Sequence, residues 1–156
     1  MKNIPADEYF MLRAIGLAKN GLGTTSPNPA VGAVIVRNGQ ILGEGFHAKA
    51  GERHAEIAAI ENAYARGNRD FSGATIYVTL EPCCHVGKTP PCSARIVAER
   101  FERLVVGSID PNPKVCGGGI ANCSENGITI TTGVLKNLTD KLIEGFAKRV
   151  LHGETF

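Results

Sequence analysis

The 156-residue chain contains no tryptophan, and aromatic residues make up only 6% of it. It has no run of Lys and Arg, and no stretch of 18 apolar residues. Each scarcity removes a class of function. Single-stranded nucleic acid is gripped by stacking aromatics beside basic side chains. Here 17 basic residues face 15 acidic ones, for a net charge of +2, and they are scattered along the chain. No nucleic-acid groove and no anionic membrane surface is expected. Without a long apolar run no spanning helix is expected. The opening residues carry Asp7 and Glu8 before any apolar segment, so they do not read as a secretory leader, and the expected compartment is the cytoplasm.

What is present is ordinary for one folded domain spanning residues 1–156. Hydrophobic residues are 43% and charged residues 21%. A chain this long buries roughly 70% of its unfolded surface and needs no disulfide staples. The five cysteines are an odd number, and three of them, Cys83, Cys84 and Cys92, fall within ten positions. In a reducing compartment such a cluster points to metal or catalysis before disulfides.

Periodicity sketches the architecture. Met11, Ala14, Ile15 and Ala18 follow helical spacing, and Gly21 ends that helix. VGAVIVRNGQILGEGF, residues 31–46, reads as two strands joined at Asn38-Gly39. An alanine-rich helix is expected from about Glu52 to Arg66, closed by Gly67. Strands are expected at 74–80, 103–108 and 128–132, with short helices near Cys92 and Ile120 and a last one over Leu138–Leu151. Five strands alternating with helices after an initial hairpin predict one mixed sheet with helices on both faces. Ligands in such sheets sit at the carboxyl ends of strands.

Two stretches carry the chemistry: HAEIAAIENA and TLEPCCHVGKTPPC. His54 opens one helix, Cys92 opens another, and Cys83 follows the junction Glu81-Pro82. A helix N-terminus carries positive partial charge and favours the thiolate that a metal requires. One imidazole and two thiolates fit tetrahedral zinc with a fourth position left for water, whose pKa the ion lowers to about 7. Glu56, two residues past His54, can point into the same cavity and carry protons. This matches the zinc-deaminase signature H-x-E…P-C-x-x-C, except that eight residues separate Cys83 from Cys92 where the signature has two. A closed structural zinc module that binds a partner is the competing reading. It needs a fourth ligand, for which His85 and Cys84 are available, and it leaves Glu56 without a reason to sit there.

The segments TSPNPAVGAVIV, HAE, EPCCHVGKTPPC and DPNP together resemble the deaminase domain of the bifunctional riboflavin-biosynthesis deaminase/reductases, a family with the longer cysteine spacing. The resemblance runs from the first helix to the last residue. It implies a cytidine deaminase-like three-layer α/β/α fold with a five-stranded mixed sheet, and one Zn²⁺ per chain on His54, Cys83 and Cys92 with Glu56 as proton carrier. It also implies a substrate, 2,5-diamino-6-(ribosylamino)pyrimidin-4(3H)-one 5′-phosphate, which loses its 2-amino group as ammonia. Deamination of another base (cytosine, guanine, dCMP or tRNA adenosine) is the alternative.

Around the metal, His85 and Lys88 beside Gly87 suit a phosphate. Asn28, between two prolines, offers an amide to the substrate, and the resemblance adds His47 and Asn112 as further contacts. Cys84, where the family more often has Ser, is expected to be a non-ligand. Cys116 and Cys123 are expected to be filler, His152 a solvated residue, and Gly117–Gly119 a flexible turn. The family continues into a reductase domain, whose absence here means that no nicotinamide chemistry is expected. The family also implies a homodimer or tetramer.

Overall fold

The computed structural model describes residues 4–25, 28–84, 91–111 and 117–144. Alternation along three strands explains its layers. In β1 (Gly32–Arg37), Ala33 and Ile35 point to one face of the sheet and Val34 and Val36 to the other. β3 (Thr75–Leu80) and β4 (Arg103–Ser108) repeat the pattern: Ile76, Val78, Leu104 and Val106 face one way, Tyr77 and Val105 the other. Strands that are apolar on both faces need a layer on each. One layer is α1 (Ala6–Ala18) with α5 (Lys136–Leu142), and the other is α2 (Ala55–Ala65), α3 (Cys92–Ala98) and α4 (Gly118–Glu125).

The sheet is five-stranded and mixed, in the order β2-β1-β3-β4-β5, where β2 is Gln40–Phe46 and β5 is Thr129–Thr132. β1 runs antiparallel to both β2 and β3, and β3, β4 and β5 are mutually parallel. The expected architecture is therefore the observed one. The hairpin turn falls at Asn38 and Gly39, with φ of 52° and 76°, the left-handed pair that a tight hairpin requires.

Most element boundaries fall where periodicity places them. α2 begins at Ala55 and not near Glu52, because His54 takes an extended backbone (φ −72°, ψ 164°) as the cap residue. α5 closes at Leu142, and residues from 145 onward, His152 among them, lie outside the described residues.

Two features fix the height of α2 over the sheet. A Cβ added to Gly45 would stand 2.7 Å from the backbone nitrogen of Ala59, so β2 and α2 meet with only small residues between them. The outer edge of β2 is also occupied: Asn62 Oδ1 accepts the Glu44 N–H at 3.0 Å, and Asn68 Nδ2 donates to the Leu42 carbonyl at 2.9 Å. These bonds blunt an edge that could otherwise pair with another chain. On the opposite layer Arg103 clamps Asp7 at the start of α1 with two bonds of 2.8 and 2.6 Å, and Tyr77 OH adds a third at 2.8 Å.

Candidate metal and catalytic site

Three elements bring together one imidazole and two thiols that could hold a metal ion. His54 caps α2, Cys92 is the first residue of α3, and Cys83 lies three residues past the end of β3. Their ligand atoms all lie within 4.8 Å of one another, and they are the one such group among the described residues. The Nδ1 atom of His54 stands 3.3 Å from Cys92 Sγ and 4.0 Å from Cys83 Sγ. Zinc–sulfur and zinc–nitrogen bonds at a tetrahedral angle put such atoms about 3.6 Å apart. The residues therefore fit the ion in both identity and spacing.

Backbone bonds contribute to this arrangement. The Cys92 N–H, first of the helix, donates to Cys83 Sγ at 3.2 Å. The next amide, that of Ser93, donates to the Cys83 carbonyl at 3.0 Å. The Cys83 thiol is held down to about 4, first by the hydrogen bond it receives from Cys92, while that same bond together with burial pushes the Cys92 thiol up. His54 is raised by its bond to Cys83.

Glu56 occupies the first turn of α2 and is 4% exposed. Burial pushes its carboxyl up to about 7, against the pull of the His54 charge. It faces the Cys92 thiol. A carboxyl poised near neutrality beside a metal site is able both to take and to give a proton at pH 7.

Two of the expected substrate contacts lie beside this centre. His47 is 3% exposed and packs edge-on to the His54 ring, centroids 5.3 Å apart. Its Nδ1 lies 3.0 Å from the Arg53 carbonyl and its Nε2 lies 3.2 Å from Asn28 Nδ2. The tautomer that donates from Nδ1 and accepts at Nε2 satisfies both bonds. His47 thus braces the residue before His54 and orients the Asn28 amide. His85, Lys88 and Asn112 lie outside the described residues.

Cys84 turns away from the metal group: a Cβ on Gly118 would come within 2.5 Å of its sulfur, so the thiol packs on the start of α4. Cys123 is fully buried in the core, as filler would be, and Cys116 lies outside the described residues.

The glycine stretch departs from the flexible turn read from sequence. The amides of Gly117 and Gly119 donate to the carboxylate of Glu81 at 3.0 Å each, joined by Asp110 at 3.1 Å and Ile120 at 3.2 Å. Glycine is needed there for contact, since a Cβ on Gly119 would overlap the Pro82 carbonyl oxygen. Glu81 was missed because its partners are backbone groups 29 to 39 residues away. The signal that could have found it was an acidic residue just before a metal ligand in a chain that also carries a triple glycine.

A mixed sheet with this helix arrangement, a His/Cys/Cys group and a buried glutamate two residues past the histidine define the cytidine deaminase-like class. The model for the family described as cytidine and deoxycytidylate deaminase zinc-binding region matches residues 4–108. Riboflavin biosynthesis protein RibD of Escherichia coli is 46% identical over 147 residues, 94% of this chain and 39% of that protein. The diaminohydroxyphosphoribosylamino-pyrimidine deaminase of Buchnera aphidicola subsp. Schizaphis graminum is 46% identical over 147 residues, covering 94% of this chain and 97% of that one. A Thermotoga maritima deaminase/reductase crystal structure superposes with a TM-score of 0.91 at 48% identity, over 97% of this chain and 43% of that one. The chain belongs to the riboflavin-biosynthesis deaminase family, within the wider group of cytidine and deoxycytidylate deaminases. It spans 34 to 39% of the length of the curated PYRD and RibD relatives. Among the described residues, no helix is long and apolar enough to cross a membrane.

Proposed function

We propose that the chain hydrolyses the 2-amino group of 2,5-diamino-6-(ribosylamino)pyrimidin-4(3H)-one 5′-phosphate, releasing ammonia and leaving the pyrimidinedione. The observation that carries this is the buried Glu56 carboxyl next to the His54, Cys83 and Cys92 group. His54, Cys83 and Cys92 would hold one zinc per chain, and the ion would supply the Lewis acid that activates water at neutral pH. Glu56 accepts the proton of the attacking water and delivers it to the ring nitrogen, then takes the proton of the newly carbon-bound hydroxyl and delivers that one to the departing amine. The bond formed is between water oxygen and the amidine carbon; the bond broken is from that carbon to the exocyclic nitrogen. Burial of Glu56 keeps its carboxyl in the range where both transfers run at pH 7.

Asn28 presents its amide to the pyrimidine, held at the proper angle by His47. His47, His85, Lys88 and Asn112 complete the proposed substrate contacts, with Lys88 and His85 on the 5′-phosphate. The family relationship supports a homodimer or tetramer as the working assembly.

The test is ammonia release, with the amino-to-oxo mass change, from the zinc-loaded chain given this pyrimidine beside cytidine, guanine and dCMP. Release from the riboflavin-pathway compound alone is expected. Release from one of the others in its place would reassign the substrate. No release from any pyrimidine would turn the reading toward a zinc-bearing binding module.

A further inference from the structure

α3 is only seven residues long, and a helix that short owes its place to its neighbours. Its two ends are tied to different helices. At the far end the cap residue Glu99 accepts from the Tyr64 hydroxyl of α2 at 2.7 Å and from Arg95 Nε at 3.0 Å. At the near end Ser93, which follows Cys92 and is wholly buried, meets α4. Asn122 Nδ2 donates to the Ser93 hydroxyl at 3.0 Å, and the Cys123 thiol points at the Ser93 carbonyl from 3.8 Å. The Asn122 amide is itself oriented. Asn126 Nδ2, one turn further along, donates to the Asn122 backbone carbonyl at 2.7 Å and reaches its side-chain oxygen at 3.4 Å. With that oxygen turned toward Asn126, the amide nitrogen is the end left for Ser93.

We infer that Asn122 is a positioning residue for the metal group, acting through Ser93, on the reading of His54, Cys83 and Cys92 as the zinc-holding set. The first turn of α3 carries Cys92 itself and two amides that grip Cys83. The Cys92 N–H donates to its sulfur at 3.2 Å, and the Ser93 N–H donates to its carbonyl at 3.0 Å. A tilt of that turn moves one sulfur of the group and loosens the hold on the other at once. Asn122 fixes the turn against α4. Without it the wholly buried Ser93 hydroxyl loses a donor, and a buried polar group that loses its partner carries a cost. That cost falls on the turn beside Cys92. Neither Asn122 nor Ser93 is one of the three residues of the group, so their effect on a bound ion is indirect.

Asn122→Ala removes the donor while placing the best helix former in α4, so the helix is not weakened by its own propensity. Zinc affinity, measured by competition with a coloured chelator, is expected to fall about tenfold, the low end for partners that hold a metal ligand in place. In the cobalt-loaded chain the thiolate-to-metal absorption is expected to shift, and amide hydrogen exchange at Cys92 and Ser93 to quicken. Ser93→Ala removes the same bond from the other side and serves where Asn122→Ala does not fold. The double variant is expected to lose no more zinc affinity than either single one, since both act through one bond. Tyr64→Phe is the control. It cuts the tie at the far end of α3 and is expected to lower thermal stability while leaving zinc affinity and the cobalt spectrum unchanged. Unchanged zinc affinity in Asn122→Ala and Ser93→Ala overturns the proposal, and additive losses in the double variant do the same. So does an equal weakening in Tyr64→Phe, which would make Asn122 a general brace for α3. An unmutated chain that takes up neither zinc nor cobalt overturns the metal reading and the proposal with it, a failure seen before any variant is made.

Discussion

The amide of Cys92 points at the sulfur of Cys83 from 3.2 Å away. The first N–H of a helix has no partner inside the helix. In this fold it finds the Cys83 sulfur, and the bond ties together two residues of the group that could hold a metal ion. The long spacing between the two cysteines is compatible with this because the chain returns to start α3 beside the end of the β3 segment.

Cys83→Ser and Cys92→Ser replace a soft thiolate with a hydroxyl that does not ionise near neutral pH. Each variant is expected to lose zinc, with affinity falling by about 100-fold or more, and to release no ammonia. Metal analysis of purified protein after dialysis against a weak chelator checks this. Retention of stoichiometric zinc by either variant would mean that a different residue completes the site. Cys84→Ser, with its thiol packed on α4, is expected to keep both zinc and activity.

Glu56→Gln keeps the size of a buried side chain and removes its proton transfer. Zinc content and thermal stability are expected to be held, and kcat to fall by about 10²–10⁴, the range assigned to general acid–base catalysis. Steady-state ammonia release beside zinc analysis reads both. A variant that loses zinc in step with activity would make Glu56 a structural residue.

The Asp7–Arg103 pair gives a pH signature far from the site. Hydrogen bonding from Arg103 holds the Asp7 carboxyl below its ordinary 3.8, against the cost of burial. A carboxyl depressed in the folded state stabilises fully above its unfolded value and loses that contribution as pH falls through the folded value. Asp7→Asn is therefore expected to lower stability at pH 7 by about 1.5–3 kcal/mol, the range for hydrogen bonds to charged groups. The gap from the unmutated chain is expected to close as pH falls below 3.8. Urea unfolding at pH 7 and in steps from pH 4 downward measures both quantities. A gap that stays constant across that window contradicts the assignment.

How much of this was readable from residues alone depends on the kind of partner each residue has. β1, β3 and β4 are legible because their alternate side chains are apolar on both faces. The hairpin is legible because Asn38-Gly39 tolerates the left-handed backbone. His54, Cys83, Cys92 and Glu56 stand out because residue type reports side-chain chemistry, and the fold brings the first three together as a group that could hold a metal ion. His47 enters as a substrate contact through the family resemblance alone, and its partners, the Arg53 carbonyl and the Asn28 amide, are not readable because they lie on separate stretches of the chain. Glu81 was not legible at all in its role. Backbone donors exist at every position, so nothing in Asp110, Gly117 or Ile120 as residue types marks them as its ligands.

Lys88 tests the substrate half of the proposal. Lys88→Ala removes a point charge suited to a phosphate. KM for the 5′-phosphate is expected to rise by about 10-fold or more, and KM for the dephosphorylated analogue to change little, since uniform binding lost at the phosphate raises KM alone. Paired kinetics with the two compounds check it. Equal effects on both would remove Lys88 from the phosphate.

X-ray absorption at the zinc edge on the resting chain tests the central claim most directly. The account predicts two sulfurs, one imidazole nitrogen and one light solvent oxygen around the ion. Three sulfurs, or a fourth ligand from a protein side chain, would contradict it, because such a centre has no position at which water can be activated beside Glu56.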